Sequence, residues 1–522
     1  MNATPDLSTN LGGLAAKLPQ RLKTVEKLCL KLVVRVLVLV VLIIVTVYLV
    51  RAFDSRRRPD LMPWHQVSLD SEFRARDDRP DMTFSEYQRI EDRLFSQLKT
   101  EVYRKVEPTD DLALSRYDPG GFNDPMGFPQ NWNRSYELIP GKIRGGVLLL
   151  HGLTDSPYSL RKVGEIFESQ GFYVLGLRLP GHGTAPGSLT AVTWQDWMAA
   201  TRLGARHVHD QVGQRGPFYL VGYSNGGGLA VKYAIQAINA ADLPQPERLI
   251  LFSPAIGVTR FASLASWHKA VSWMGYFKKF KWDSIGPEYD PYKYNSFPKH
   301  AADQTHLLTE SIHKDINAIK RANRISQLPP ILTFQSLVDT TVLTDAIVDR
   351  LYGNLQGNEH ELVLFDINRA AQVRIFLASD HRSLLLKLET KVNLPYTLTL
   401  ITNASEDSLE VVERRKTPGS TVAASVSLGL HWPAGVYSLS HVAIPFSPDD
   451  WIYGDERVER TGYGIRLGAI QPRGERNLLR VSVQQLMRLR HNPFFDYIEK
   501  RLIDELSAIS GVDGAGPNRQ KR

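Results

Sequence analysis

The chain has 522 residues, 43% hydrophobic and 23% charged, a globular balance that excludes a collagen-like or wholly disordered protein. Its one cysteine, Cys29, rules out an intramolecular disulfide framework. A formal charge of +8 and a pI of about 9.2 come without a helix-turn-helix, zinc or RNP pattern, so nucleic acid is not expected as a partner and anionic lipid headgroups are the simpler counterpart of the charge.

Residues 1–31 read as an N-terminal tail. Leu32 to Val50, LVVRVLVLVVLIIVTVYLV, is apolar on every face and long enough to cross a hydrocarbon core as a helix. Arg35 sits near one end, where it can snorkel, and Tyr48 near the other, where an interfacial aromatic is expected. A cleaved signal peptide is the competing reading, but no small-residue cleavage pattern follows. A single-pass anchor in a bacterial inner membrane is therefore expected. Six basic residues from Lys17 to Arg35 outnumber the four that follow the span, Arg51 and Arg56 to Arg58, which favours a periplasmic C-terminal domain.

Residues 51–141 form a juxtamembrane region. Within it Ile90, Leu94, Leu98 and Val102 recur every fourth residue between Phe84 and Val106, which predicts an amphipathic helix. A main domain is expected over residues 142–510. Its short apolar runs, Val147 to Leu150, Phe172 to Leu177, Phe218 to Val221, Leu249 to Phe252, Ile331 to Phe334 and Leu362 to Phe365, alternate with helical stretches. That pattern predicts an α/β fold, a mostly parallel central sheet with helices on both faces. From about 255 to 327 the pattern breaks into an aromatic-rich segment with Trp267, Trp273, Phe277, Phe280, Trp282, Tyr289, Tyr292 and Tyr294, read as an inserted cap. A second insertion is expected at about 367–435, and residues 511–522 as a disordered tail.

The strongest chemical signal is Gly222-Tyr223-Ser224-Asn225-Gly226, which follows a strand and precedes a helix-like run. A nucleophile on a sharp strand-to-helix turn needs small neighbours, and the glycines two before and two after Ser224 meet that need. His151-Gly152 ends the first strand of the block. His207 and His209, two apart, do not share a helical face, and with Asp210 they read as surface residues; no metal site is expected. Asp449 and Asp450 read as a polar turn after Pro448. Glycines 226 to 228 lack the Lys-Ser/Thr of a phosphate loop.

HGLTDSPYSL (151–160), RLPGHGTAPGSL (178–189) and VGYSNGG (221–227), in this order, resemble the α/β-hydrolases of the serine aminopeptidase S33 and monoglyceride-lipase type, with bacterial carboxylesterases similar. The resemblance runs from about Gly145 to Gly454. It implies an α/β-hydrolase fold and a triad in the order Ser, Asp, His. Asp339, in the loop after Ile331 to Phe334, matches the acid, although Ser336 stands where relatives usually have glycine. Ser438-Leu439-Ser440-His441-Val442 resembles the histidine loop, so His441 is the choice for the base, with His381 the runner-up; His360 lies at the wrong end of its strand. The oxyanion hole is expected from the backbone amides of Leu153 and Asn225, with His151 a structural residue. The implied activity is cleavage of a small, lipid-like or medium-sized carboxylic ester through an acyl-enzyme, without metal or organic cofactor. An S33-type aminopeptidase, with Glu288 and Asp290 holding a substrate amine, remains the alternative, as do an acyltransferase and, outside enzymes, a catalytically silent membrane scaffold. The sequence carries no signal of oligomeric state.

Overall fold

The computed structural model describes residues 27–46, 58–107, 109, 112–213, 216–258, 275–357, 359–370, 377, 381–455, 464–470, 473, 479 and 481–510. The first 26 residues, Tyr48 and the end of the apolar run, Trp267 and Trp273 of the cap, Ser379 and Asp380 beside His381, and the tail after 510 lie outside them.

Lys27–Thr46 is one helix, α1, of 20 residues, exposed along its length. Its length and composition suffice to cross a membrane, and a signal sequence shares both features.

The second compact unit comprises residues 61–271 and 281–522. Its strands in chain order are β1 (Tyr136–Leu138), β2 (Gly145–Leu150), β3 (Phe172–Leu177), β4 (Phe218–Tyr223), β5 (Arg248–Phe252), β6 (Trp282–Ser284), β7 (Phe297–Pro298), β8 (Ile331–Ser336), β9 (Glu361–Phe365), β10 (Thr397–Asn403), β11 (Glu410–Lys416) and β12 (Ala424–His431). Its longer helices are α2 (Phe84–Glu101), α3 (Arg161–Ser169), α4 (Trp194–Val212), α5 (Asn225–Asn239), α6 (Lys299–Arg321), α7 (Arg382–Thr390) and α8 (Phe495–Ser510). The main sheet runs β1-β3-β2-β4-β5-β8-β9-β10-β11-β12. Pairing is parallel from β3 to β10, and β1, β11 and β12 join antiparallel.

The continuous apolar runs have a direct cause. Leu148 and Leu150 point into the core shared with α4 and α5, while Val147 and Leu149 point into the core shared with α3 and α8. Both faces of each central strand are covered, so neither parity is polar. The chain leaves β2 for β3 on one side and returns to β4 on the other. The loops after β2 and β4 therefore flank the crevice where strand order reverses, the place where open α/β sheets bind ligands.

The sheet does not end at Leu362 to Phe365: β10 pairs with it in parallel, Leu398 opposite Leu362, and β11 and β12 extend the sheet further. About a third of the stretch 367–435 is thus sheet. The chain then returns to where it left: Asn368 donates from its backbone to Tyr437 O (2.8 Å) and from its side chain to Val436 O (3.1 Å). The segment that carries His441 is pinned beside the exit of β9.

α2 begins with a capping box. Thr83 Oγ1 accepts from the Glu86 amide (3.3 Å) and Glu86 Oε2 from the Thr83 amide (2.8 Å). The helix buries Phe84, Tyr87, Glu91, Leu94, Phe95 and Leu98; of the four residues read at fourfold spacing, Leu94 and Leu98 are buried in it, Ile90 is half-buried, and Val102 is its buried C-cap.

Candidate active site

Ser224 sits between β4 and α5 with φ 53° and ψ −115°, a region that L-residues rarely adopt. Its neighbours make the turn sterically feasible. A Cβ on Gly222 would lie 2.4 Å from Gly226 O, and one on Gly226 would lie 2.0 Å from Leu150 O. Both obstacles are backbone, one of them the end of β2, and cannot step aside. Gly226→Ala is therefore expected to destabilise the fold by about 3 kcal/mol or more, read as a lowered thermal midpoint.

The hydroxyl of Ser224 donates to His441 Nε2 (3.0 Å). His441 Nδ1 donates to Asp339 Oδ2 (2.6 Å). The roles follow from chemistry: an ionised carboxylate only accepts, so Nδ1 carries the proton and Nε2 offers its lone pair to the serine. Ser224 is half-buried, and the side chains of His441 and Asp339 are 4% and 0% exposed. Burial by itself would raise the Asp339 carboxyl, but His441 beside it and the amides of Val342 and Thr341 hold it below its ordinary value. Those amides donate to Oδ1 at 2.9 and 2.8 Å.

The supporting contacts had no signal in the sequence. Gln335 Nε2 reaches Asp339 Oδ2 (3.3 Å) and Thr344 Oγ1 (3.0 Å). Ser336 donates to Leu439 O (2.9 Å) and so ties the acid's strand to the loop two residues before His441. Ser440 donates to Leu489 O. The Tyr223 and His441 rings lie 5.4 Å apart.

Leu153 and Asn225, expected to supply oxyanion donors, flank the serine. Asn225 is the first residue of α5, so its N–H has no acceptor within the helix and the positive end of the helix dipole lies beside it. Leu153 follows Gly152, where a Cβ would be 3.3 Å from Ser224 Cβ. Thr154, next along, is held at φ 63°, with its carbonyl accepting from the Tyr294 amide (2.8 Å).

The other histidines are placed elsewhere. His151 is buried; Nδ1 contacts Gly152 O (2.9 Å), and Nε2 accepts from the Leu179 amide (3.0 Å). Burial, with His182 next, depresses it well below the usual range, so it stays neutral and holds the loop. His381 is exposed ahead of α7, and His360 caps the start of β8 through the Ile331 amide (3.2 Å). His207 is half-buried against Glu137 (3.0 Å) and Tyr173 (2.9 Å), a structural cluster rather than the bare surface expected. Asp450 is likewise a correction: it is buried, bonded by Tyr158 Oη (3.0 Å) and 3.7 Å from Arg161, while Asp449 stays on the exposed side of the turn.

Asp155, two residues beyond Leu153, is buried, and burial pushes its carboxyl up to about 7. An unfolded aspartate titrates near ~3.9. Between these values the native state holds a proton that the unfolded chain has released, so this contribution to stability is full below ~pH 4 and is lost as pH rises to about 7. Wild type is expected to lose up to ~1.4 kcal/mol more per pH unit than Asp155→Asn across pH 5–7, as read by parallel denaturation curves.

Sheet order, strained serine turn and crevice define an α/β-hydrolase. Residues 141–366 match the family model of the serine aminopeptidase S33 type. Over those residues, under half of its length, the chain is similar to that family. The thermostable monoacylglycerol lipase of Bacillus sp. (strain H-257) is 36% identical over 108 residues, 19% of this chain and 42% of that lipase; the chain thus spans under half the length of that curated relative. Among solved structures, a chain from the work on LipS and LipT, two metagenome-derived lipolytic enzymes, is 22% identical with a TM-score of 0.37, covering 45% of this chain and 88% of its own. The monoacylglycerol lipase of Paleococcus ferrophilus is 19% identical with a TM-score of 0.34, covering 49% and 97%.

Proposed function

We propose that the chain is a serine hydrolase that cleaves carboxylic esters. His441 takes the Ser224 proton, Ser224 attacks the acyl carbonyl, and the amides of Leu153 and Asn225 receive the developing oxyanion. The protonated His441, its cation stabilised by Asp339, gives its proton to the departing alcohol. Water then enters along the same path and releases the acid. The single observation that carries this reading is the continuous relay Ser224 Oγ to His441 Nε2 to Asp339. The S33 family match and the partial likeness to a monoacylglycerol lipase support a small ester, lipid-like or of medium size, as substrate.

The aminopeptidase alternative needs free carboxylates to hold a substrate amine. Glu288 accepts from the Asn295 (3.0 Å) and Ser296 (2.8 Å) amides. Asp290 Oδ1 accepts from the Tyr292 and Lys293 amides and the Tyr453 hydroxyl. Both carboxylates are committed to the fold, which favours the ester reading. The test compares p-nitrophenyl acyl esters with aminoacyl p-nitroanilides. The expected result is turnover of the esters alone; preferential release of nitroaniline contradicts it.

In the same reading residues 32–50 hold the enzyme in a bacterial inner membrane, residues 142–510 form a periplasmic catalytic domain, and residues 255–327 cap it. The basic excess ahead of the apolar run supports this orientation.

A further inference from the structure

A cavity of about 250 Å³ opens beside the His441 loop, with Val442 in its wall. Cap aromatics do not make it an apolar acyl pocket. Trp282 packs edge-on against His65 and Tyr292 stacks on Tyr158. Tyr294, although in the lining, spends its hydroxyl on the Thr184 amide (2.7 Å) and Gly181 O (3.1 Å). The charged lining is instead Lys293, Arg488 and Arg490 against Asp155 and Asp290.

Among the described residues none of the three cations is in a salt bridge, and the Lys293 ammonium has no hydrogen bond. Half-buried cations are costly, and burial holds Lys293 below the ordinary lysine value although Asp155 and Asp290 pull it the other way. The two carboxylates offset Lys293 only in part. Asp290 Oδ1 is taken by two amides and Tyr453, its Oδ2 is sealed from solvent without a partner, and burial keeps Asp155 partly protonated at neutral pH. Arg488 is tied to the relay. Arg488 Nη2 donates to Thr341 Oγ1 (3.0 Å), the residue whose amide bonds Asp339, and Leu489 O accepts from Ser440, the neighbour of His441.

We propose that this cavity is a subsite for an anionic group, a carboxylate or phosphate carried by the ester substrate, gripped by Lys293, Arg488 and Arg490. The proposal rests on the hydrolase reading and names its substrate class. Guanidinium groups match both anions with paired donors. The volume suits a short phosphorylated or carboxylated fragment and not a long acyl chain.

The test measures kcat/KM for two matched pairs on the full-length protein. On the acyl side, mono-4-nitrophenyl succinate is compared with 4-nitrophenyl butyrate. On the alcohol side, 1-butyrylglycerol 3-phosphate is compared with 1-butyrylglycerol. The anionic member of one pair is expected to lead by at least tenfold, and the pair that shows it identifies the source of the anion. Lys293→Gln and Arg490→Gln are each expected to cut that ratio by fivefold or more. Turnover of neutral esters with neither ratio above one, or a ratio that survives both variants, overturns the subsite and leaves the hydrolase reading standing. Absence of all ester turnover removes that reading and the subsite with it.

Discussion

His441→Ala is expected to lower kcat on p-nitrophenyl butyrate by about 10⁵-fold, equivalent to ~7 kcal/mol of transition-state stabilisation. The imidazole is bonded to Ser224 on one side and to Asp339 on the other. Without it the serine keeps its proton and the departing alcohol receives none. Ser224→Ala should cost a similar factor, and the double variant little more than either single one, because the groups act as one unit. Asp339→Asn should cost about 10⁴-fold, since an amide turned toward Nδ1 favours the wrong tautomer. Steady-state rates for the four variants check all of this. Additive losses in the double variant would show that the two groups act separately.

Arg178→Ala is expected to destabilise the fold by about 3–5 kcal/mol. Arg178 is fully buried. It donates to Glu72 through Nη1 (3.1 Å) and Nη2 (2.9 Å) and to Glu91 through Nε (2.8 Å). Glu72 also accepts from the Gly181 amide (2.8 Å) and Glu91 from Ser135 Oγ (2.8 Å). Removing the guanidinium strands two carboxylates out of water, one of them, Glu91, already pushed up by burial. The loss should appear as a lower urea midpoint with an unchanged slope. Replacing Arg178, Glu72 and Glu91 together with apolar residues of similar volume should recover most of it, because the cost lies in the stranded charge. A single-variant effect below 1 kcal/mol would mean that the cluster does not hold residues 61–101 to the sheet.

The strands at the centre of the sheet were legible because both of their faces are covered, which makes each an unbroken apolar run. The edges were not. β12 reads ASVSLGLH and is largely exposed, and β1 has only three residues. The place of β10 beside β9 was not legible, because pairing across a long excursion leaves no local pattern. Ser224 stood out by its flanking glycines between a strand and a helix-like run, and the close backbone at 222 and 226 is why glycine stands there. His441 was reached through the resemblance of its loop, and what keeps it in register after so long an excursion, the grip of Asn368 on Val436 and Tyr437, is largely carried by backbone atoms. The amides that bond Asp339 carry no residue code. Lys293, Arg488 and Arg490 come from two segments almost 200 positions apart, and neither bears a motif.

The central claim is that Ser224 is a nucleophile made reactive by His441. Its most direct test is mass spectrometry of the full-length protein after brief exposure to a fluorophosphonate. One adduct per chain is expected, mapping to the peptide that contains Ser224, absent in Ser224→Ala and strongly slowed in His441→Ala. Unmodified wild-type protein, or equal modification of Ser224→Ala, would contradict the account.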